Sequence, residues 1–252
     1  MEKAQINRLV QSFQQELDRV ASIKTKSWWE NYLKQVIPFR GVGIPVIREL
    51  LSDWREKNQL EQLGKDQELE IALSFFEESY SEDKLTAILY LQDYLLHQFD
   101  GKTLFPYFEQ LYHRELIFDW NVCDWFCVRV LGPGILAQGK SWAETLAAWK
   151  DTPYLWQARS SLVPFVKVVR DRSYYPLIRI ISETLIQREE RFAKTAVGWI
   201  LRDISKYDKT TVIDFLEYQL NFFTIETVRN ATQNLGPQVQ KNWVEKLKSM
   251  SK

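Results

Sequence analysis

Three stretches of this 252-residue chain carry side chains suited to chemistry at places where a helix core disfavours them. The stretch Asp119-Trp-Asn-Val-Cys-Asp-Trp-Phe-Cys-Val-Arg-Val-Leu131 is apolar nearly all round, yet Asp124 sits in its middle. It lies one turn after Trp120, on the same helical face. Burying a carboxylate is costly unless it is paired, and an Asp inside a helix competes for backbone hydrogen bonds. Two readings follow: a structural pair with Arg129 or Arg159, or a carboxylate placed to meet positive charge on a ligand. In 190–206, Phe192, Ala193, Ala196, Val197, Ile200, Leu201 and Ile204 fill one half of a helical wheel. Trp199 falls outside that half, beside Thr195, Arg202 and Lys206, and Gly198 there permits close approach of another group. An indole one turn from a guanidinium suits stacking on a base or sugar while the cation meets phosphate. The plainer alternative is a Trp covered by the next helix. Arg159, in Tyr154-Leu-Trp-Gln-Ala-Arg-Ser-Ser-Leu162, flanks an apolar face of Leu155, Ala158, Leu162 and Val166, and could equally be an ordinary surface residue.

Helical periodicity must position these groups. It predicts helices over 2–21, 25–37, 44–56, 67–79, 82–97, 103–113, 119–131, 141–150, 153–169, 173–187, 190–206, 209–221, 225–234 and 237–249. Pro38, Gly41, Gly43, Ser81, Gly101, Gly132-Pro133-Gly134, Thr152-Pro153 and Gly236-Pro237 read as the punctuation, and Pro164 as a kink or restart. No strand pairs emerge. From about residue 67 the helices come in pairs of roughly 40 residues, the period of HEAT-type repeats. The expected architecture is one all-α domain over 1–252, a curved α-α superhelix of antiparallel HEAT-like helix pairs. Trp120/Asp124, Arg159 and Trp199/Arg202 recur at intervals of 39–40 residues, that same repeat length. Residues one repeat apart lie side by side in a solenoid, so two indoles, one acid and two guanidiniums are expected to share one concave stripe.

Composition narrows the function classes. Lys+Arg and Asp+Glu are equal at 33 each, so any basic surface must come from segregation of charge. Cys123 and Cys127, with only two histidines in the chain, fall short of a metal-ligand set and read as buried thiols in a reducing compartment. No metal and no cofactor is expected. The N-terminal residues carry no apolar signal segment and no apolar run is long enough to span a bilayer, which points to a cytoplasmic protein.

The chain resembles the AlkD-like DNA alkylation repair glycosylases, which are built from HEAT-like repeats. Trp120-Asn-Val-Cys-Asp124 matches that family's Trp-x-x-x-Asp pair on a central helix. Gln157-Ala-Arg159 matches its Arg one repeat later, and Lys194-Thr-Ala-Val-Gly-Trp-Ile-Leu-Arg202, followed by Ser205-Lys206, matches its Gly-Trp-x-Leu-Arg run. Tyr32-Leu-Lys, Phe39-Arg-Gly-Val, Pro45 and Arg48 resemble its entry motif, so the likeness covers about 30–250. The resemblance implies a monofunctional, monomeric glycosylase of base excision repair. Its substrate would be duplex DNA containing cationic N3- or N7-alkylpurines, cleaved without base flipping. Asp124, Trp120 and Trp199 would be catalytic, and Arg159, Arg202, Lys206 and Tyr32 would bind DNA. Competing readings are a non-catalytic paralogue holding distorted or branched DNA, and a HEAT-type scaffold for protein helices. A basic face on a neutral chain predicts that affinity for duplex DNA falls steeply with salt, log K linear in log salt. A flat salt response in a binding titration would favour the scaffold.

Overall fold

Apolar residues spaced three and four apart bury the faces they define. In α1 (Lys3–Arg19) these are Val10, Phe13 and Leu17, and in α3 (Ile44–Lys57) Ile47, Leu51 and Trp54. Phe13 packs edge-on against Trp54 at 5.3 Å and Phe75 at 5.5 Å, and Trp54 Nε1 donates to Ser12 Oγ at 2.8 Å. The computed structural model describes residues 1–250, and helix is the regular structure throughout them. Its contacts define two compact units, Met1–Val130 and Leu131–Lys252.

The first unit continues with α2 (Ile23–Tyr32), α4 (Lys65–Ser74), α5 (Ser81–Tyr90), α6 (Gly101–His113) and α7 (Trp120–Phe126). Here α3 packs on α5 and α5 on α7, so alternate helices form a row, as in stacked helix pairs. The second unit contains α8 (Gly132–Gln138), α9 (Lys140–Ala148), α10 (Leu155–Ser160), α11 (Tyr175–Gln187), α12 (Arg191–Ile204), α13 (Lys209–Gln219), α14 (Ile225–Ala231) and α15 (Pro237–Met250). Its row runs α10, α12, α14. Both cysteines are buried, and no described helix is long and apolar enough to cross a membrane.

Three expectations need correction. The helix expected over 25–37 stops at Tyr32, because Lys34 and Gln35 adopt left-handed φ of 56° and 61° and Gln35 N–H closes back on the Glu30 carbonyl at 2.8 Å. Such a left-handed cap with a long closing bond is a common helix ending. The stretch 153–169 is not one helix. It breaks after Ser160 and resumes as a 3-10 segment, Val163–Lys167, since Pro164 has no N–H to continue the ladder. Gly132-Pro133-Gly134 is no spacer but helical: α8 begins directly after a π segment, Cys127–Leu131, whose irregular ladder accommodates the proline's missing N–H.

Gly134 is there for packing. A Cβ would lie 2.2 Å from Cε2 of Trp142, an indole 2% exposed whose Nε1 donates to the Leu131 carbonyl at 2.9 Å. A ring locked by burial and a hydrogen bond cannot yield to the intruding methyl. Gly134→Ala should therefore cost about 1–3 kcal/mol, the usual range for overpacking, read as a lowered urea midpoint at unchanged slope. An unchanged midpoint would mean that Trp142 can move.

Candidate nucleic-acid interface and active site

In the first unit the site begins at the N-terminus of α7. Asp119 caps it, its Oδ1 accepting from the backbone N–H of Asn121 at 2.8 Å and Val122 at 3.0 Å. Oδ2 is buried with no hydrogen-bond partner, and burial pushes the carboxyl above its ordinary range. Phe126 anchors the opposite face of α7, edge-on to Phe76 at 5.8 Å and Phe108 at 5.0 Å. That anchoring leaves Trp120 and Asp124 together on a half-buried face. The sequence alternatives for Asp124 included a pair with Arg129; that guanidinium lies 4.9 Å from the Trp125 ring.

Trp120 does not stand alone. Tyr32, 53% exposed, meets it edge-on at 5.6 Å. Trp28 stacks on Tyr32 at 5.2 Å with 15° between planes, and Trp29 stacks on Phe39 at 5.7 Å. The helix α2 that carries three of these rings is fixed from below. Glu82, fully buried at the start of α5, accepts from the backbone N–H of Arg40, Gly41 and Val42 at 2.9, 2.7 and 3.1 Å. Gly41, at φ 95°, lies so close to α2 that a Cβ would sit 2.1 Å from the Ser22 carbonyl. Sequence reasoning missed this support, because Glu82-Asp83-Lys84 at a helix start looks like a solvated first turn. Asp119, too, was not singled out, since an Asp at a helix start is ordinary.

Arg40 and Asp83 form the costliest part of the support. Nη1 lies 2.9 Å from Asp83 Oδ2 but is not aligned for a hydrogen bond, and Asp83 Oδ1 has no partner. Nε of Arg40 is well placed on Asp18 at 2.8 Å. Burial raises the Asp83 pKa to about 6, with Arg40 acting in the opposite direction.

In the second unit α10 and α12 carry the remaining candidates. Arg159 is 4% exposed, and its Nη1 donates to the Phe192 carbonyl at 2.6 Å and Thr195 Oγ1 at 3.3 Å. It is thus buried against α12 rather than spread on the surface. Trp199 is half-buried, its Nε1 donating to Asp203 Oδ2 at 3.0 Å. Asp203 Oδ1 also takes Lys206 Nζ at 2.6 Å and lies 3.7 Å from Arg202 Nε. Arg202 Nη1 donates to Asn230 Oδ1 at 3.2 Å. Asp203 therefore organises Trp199, Arg202 and Lys206, and its spacing of four after Trp199 and three before Lys206 was a readable signal. Gly198 makes room for α14: a Cβ would come within 3.2 Å of Asn230 and Thr227. Lys194 is structural, its Nζ donating to the carbonyls of Ile186 and Phe222. The structure brings Tyr32 to Trp120 in one unit, and Arg202 and Lys206 to Trp199 in the other. Among the described residues, no three His, Cys, Asp or Glu side chains are grouped to hold a metal ion.

The first unit thus carries an aromatic face with a carboxylate, and the second an indole among cations. The family model for the DNA alkylation repair enzyme matches residues 13–235, so the chain belongs to that family. A solved structure, described as a predicted DNA alkylation repair enzyme from Enterococcus faecalis, shares the fold. It superposes with a TM-score of 0.74 at 16% identity, over 86% of this chain and 97% of that one. No curated protein sequence matches.

The Asp83 pKa has a stability consequence. With a native pKa of about 6 and an unfolded value near 3.8, the folded state holds a proton that the unfolded chain has released. The contribution is fully present below the unfolded value and is lost as pH rises through the native one. Wild type should therefore lose on the order of 2–3 kcal/mol relative to Asp83→Asn between pH 4 and 7, measured by denaturant unfolding across that range. A flat difference curve would show that Asp83 is ionised throughout.

Proposed function

We propose that this member of the DNA alkylation repair family is a glycosylase that hydrolyses the N-glycosidic bond of cationic N3- and N7-alkylpurines in duplex DNA. The observation that carries this reading is Asp124, half-buried one turn along α7 from Trp120 and its aromatic neighbours. Alkylation gives the purine a formal positive charge and weakens its bond to the sugar. When that bond breaks, its electron pair neutralises the departing base and leaves an oxocarbenium-like C1′. A carboxylate stabilises such a cation. Asp124 does this and takes the proton from the water that adds to C1′.

Trp120 and Tyr32 supply the negative faces of their rings to the cationic base and sugar. Trp199 packs on the DNA beside Arg202 and Lys206, which bind backbone phosphates. Arg159, buried against α12, acts by holding the helix that presents them. The enzyme works as a monomer and without cofactor. Tyr32 is 53% exposed, so the aromatic face is open surface, which suits pressing on the sugar–phosphate backbone rather than enclosing a flipped base.

Excision tests this directly. Single-turnover release of N7-methylguanine and N3-methyladenine from methylated duplex should fall on the order of 10²-fold or more in Asp124→Asn, which keeps the shape and removes the charge. In the same panel a neutral deaminated purine should stay in place and bulky cationic adducts should be released. Equal rates for the two proteins would remove Asp124 from the mechanism. Duplex binding by a wild type that excises nothing would make the protein a non-catalytic binder. Release of the neutral lesion with rejection of the bulky cations would reveal an enclosing pocket.

A further inference from the structure

Trp28 is not needed by the core. It leaves 57% of its surface exposed, next to Tyr32 at 53%, while the neighbouring Phe39 is buried at 2%. Exposing two large rings on one face forfeits the burial that usually stabilises them. The two are also ordered relative to each other: nearly parallel, at 5.2 Å, with Trp29 edge-on to Trp28 at 4.8 Å. A ring with a parallel neighbour on one side, a second ring edge-on to it, and more than half of its surface still exposed is the end of a stack.

Lys24 completes the arrangement. Lys24, Trp28 and Tyr32 stand at i, i+4 and i+8 of α2, one row along the helix, and all three are exposed. Lys24 joins no ion pair among the described residues, unlike Lys26, which lies 3.8 Å from Glu30. An unpaired cation one turn from an open stack of rings matches a nucleotide: a phosphate for the amine and a base plane for the indole. At its other end the row runs through Tyr32 to Trp120.

We propose that Trp28 is a stacking platform for an unstacked nucleobase beside the lesion, with Lys24 holding a phosphate of the same strand. This rests on the reading of the protein as a DNA repair enzyme and adds to it a base-binding subsite on α2. The subsite takes any base, since every base offers a π-face, and it acts on binding rather than on bond cleavage.

Equilibrium binding to three duplexes of one sequence tests it: fully paired, with one bulged purine, and with an abasic tetrahydrofuran in place of the bulged purine. Wild type should prefer the bulged purine. Trp28→Ala should lose roughly ten- to a hundred-fold on that duplex and little on the other two. Trp28→Phe should retain most of the affinity and Trp28→Leu should not, and melting curves confirm that the variants are folded. Lys24→Ala should lower the salt slope by about one on all three duplexes. Equal losses on all three duplexes would make Trp28 a general part of the surface and overturn the proposal, as would no loss. Concentration-dependent self-association abolished by Trp28→Ala would show that a second copy covers the face, and would overturn it too. A wild type that binds none of the duplexes and excises nothing sinks both readings. A wild type that excises methylpurines while Trp28→Ala binds normally sinks this one alone.

Discussion

One buried carboxylate positions the aromatic face of the first unit. Glu82 accepts three successive backbone N–H groups from residues 40–42, satisfying donors that would otherwise be buried without partners. The loop so held presents Gly41 to the N-terminus of α2, in a left-handed conformation and at a distance only glycine allows. The angle of α2, and with it the approach of Tyr32 to Trp120, follows from that contact. A neutral amide in place of the carboxylate would supply one accepting oxygen for three donors.

The helix carrying Glu82 is unusual in burying its whole length, Ser81–Tyr90, charges included. Lys84 is 2% exposed, and desolvation lowers its pKa to about 8; its Nζ donates to the Phe76 carbonyl. Tyr90 reaches Glu68, which Arg55 and Lys65 also bind. Buried charges of this kind contribute little net stability compared with apolar packing, but removing one partner is expensive. They act as a register, tying loops and helices distant in sequence to one set of positions. The Arg40–Asp83 contact, with Asp83 Oδ1 left without a hydrogen-bond partner, is the least satisfied part of this register.

In the second unit the same economy runs through α12. Its apolar face packs into the core, Gly198 lets α14 approach, and Arg159 clamps its first turns through the Phe192 carbonyl. The partly exposed side of α12 carries a strip of Trp199, Arg202 and Lys206, held in common by Asp203. One carboxylate shared by two cations keeps the strip positive while limiting the repulsion between them.

The all-α class and the long helices were legible in the chain because apolar periodicity is a local property. The wheel drawn for 190–206 found α12 and its buried face, and a carboxylate amid apolar residues marked Asp124 as out of place. Wherever a residue's meaning depends on a partner far along the chain, periodicity said nothing. Gly132-Pro133-Gly134 looked like a turn because Trp142, which requires the glycine, is not a neighbour in sequence. Glu82 carried no signal because its three donors lie about 40 residues away. Arg159 stood between a ligand-binding and an ordinary surface residue, and its bond to a carbonyl 33 residues on could not be read from its neighbours in sequence. Trp28 carried no signal of its own, since only packing shows which of two adjacent tryptophans is left outside. Helices and out-of-place side chains are fixed by spacing along the chain, whereas burial and partnership are fixed by which elements meet, and only the tertiary structure decides that.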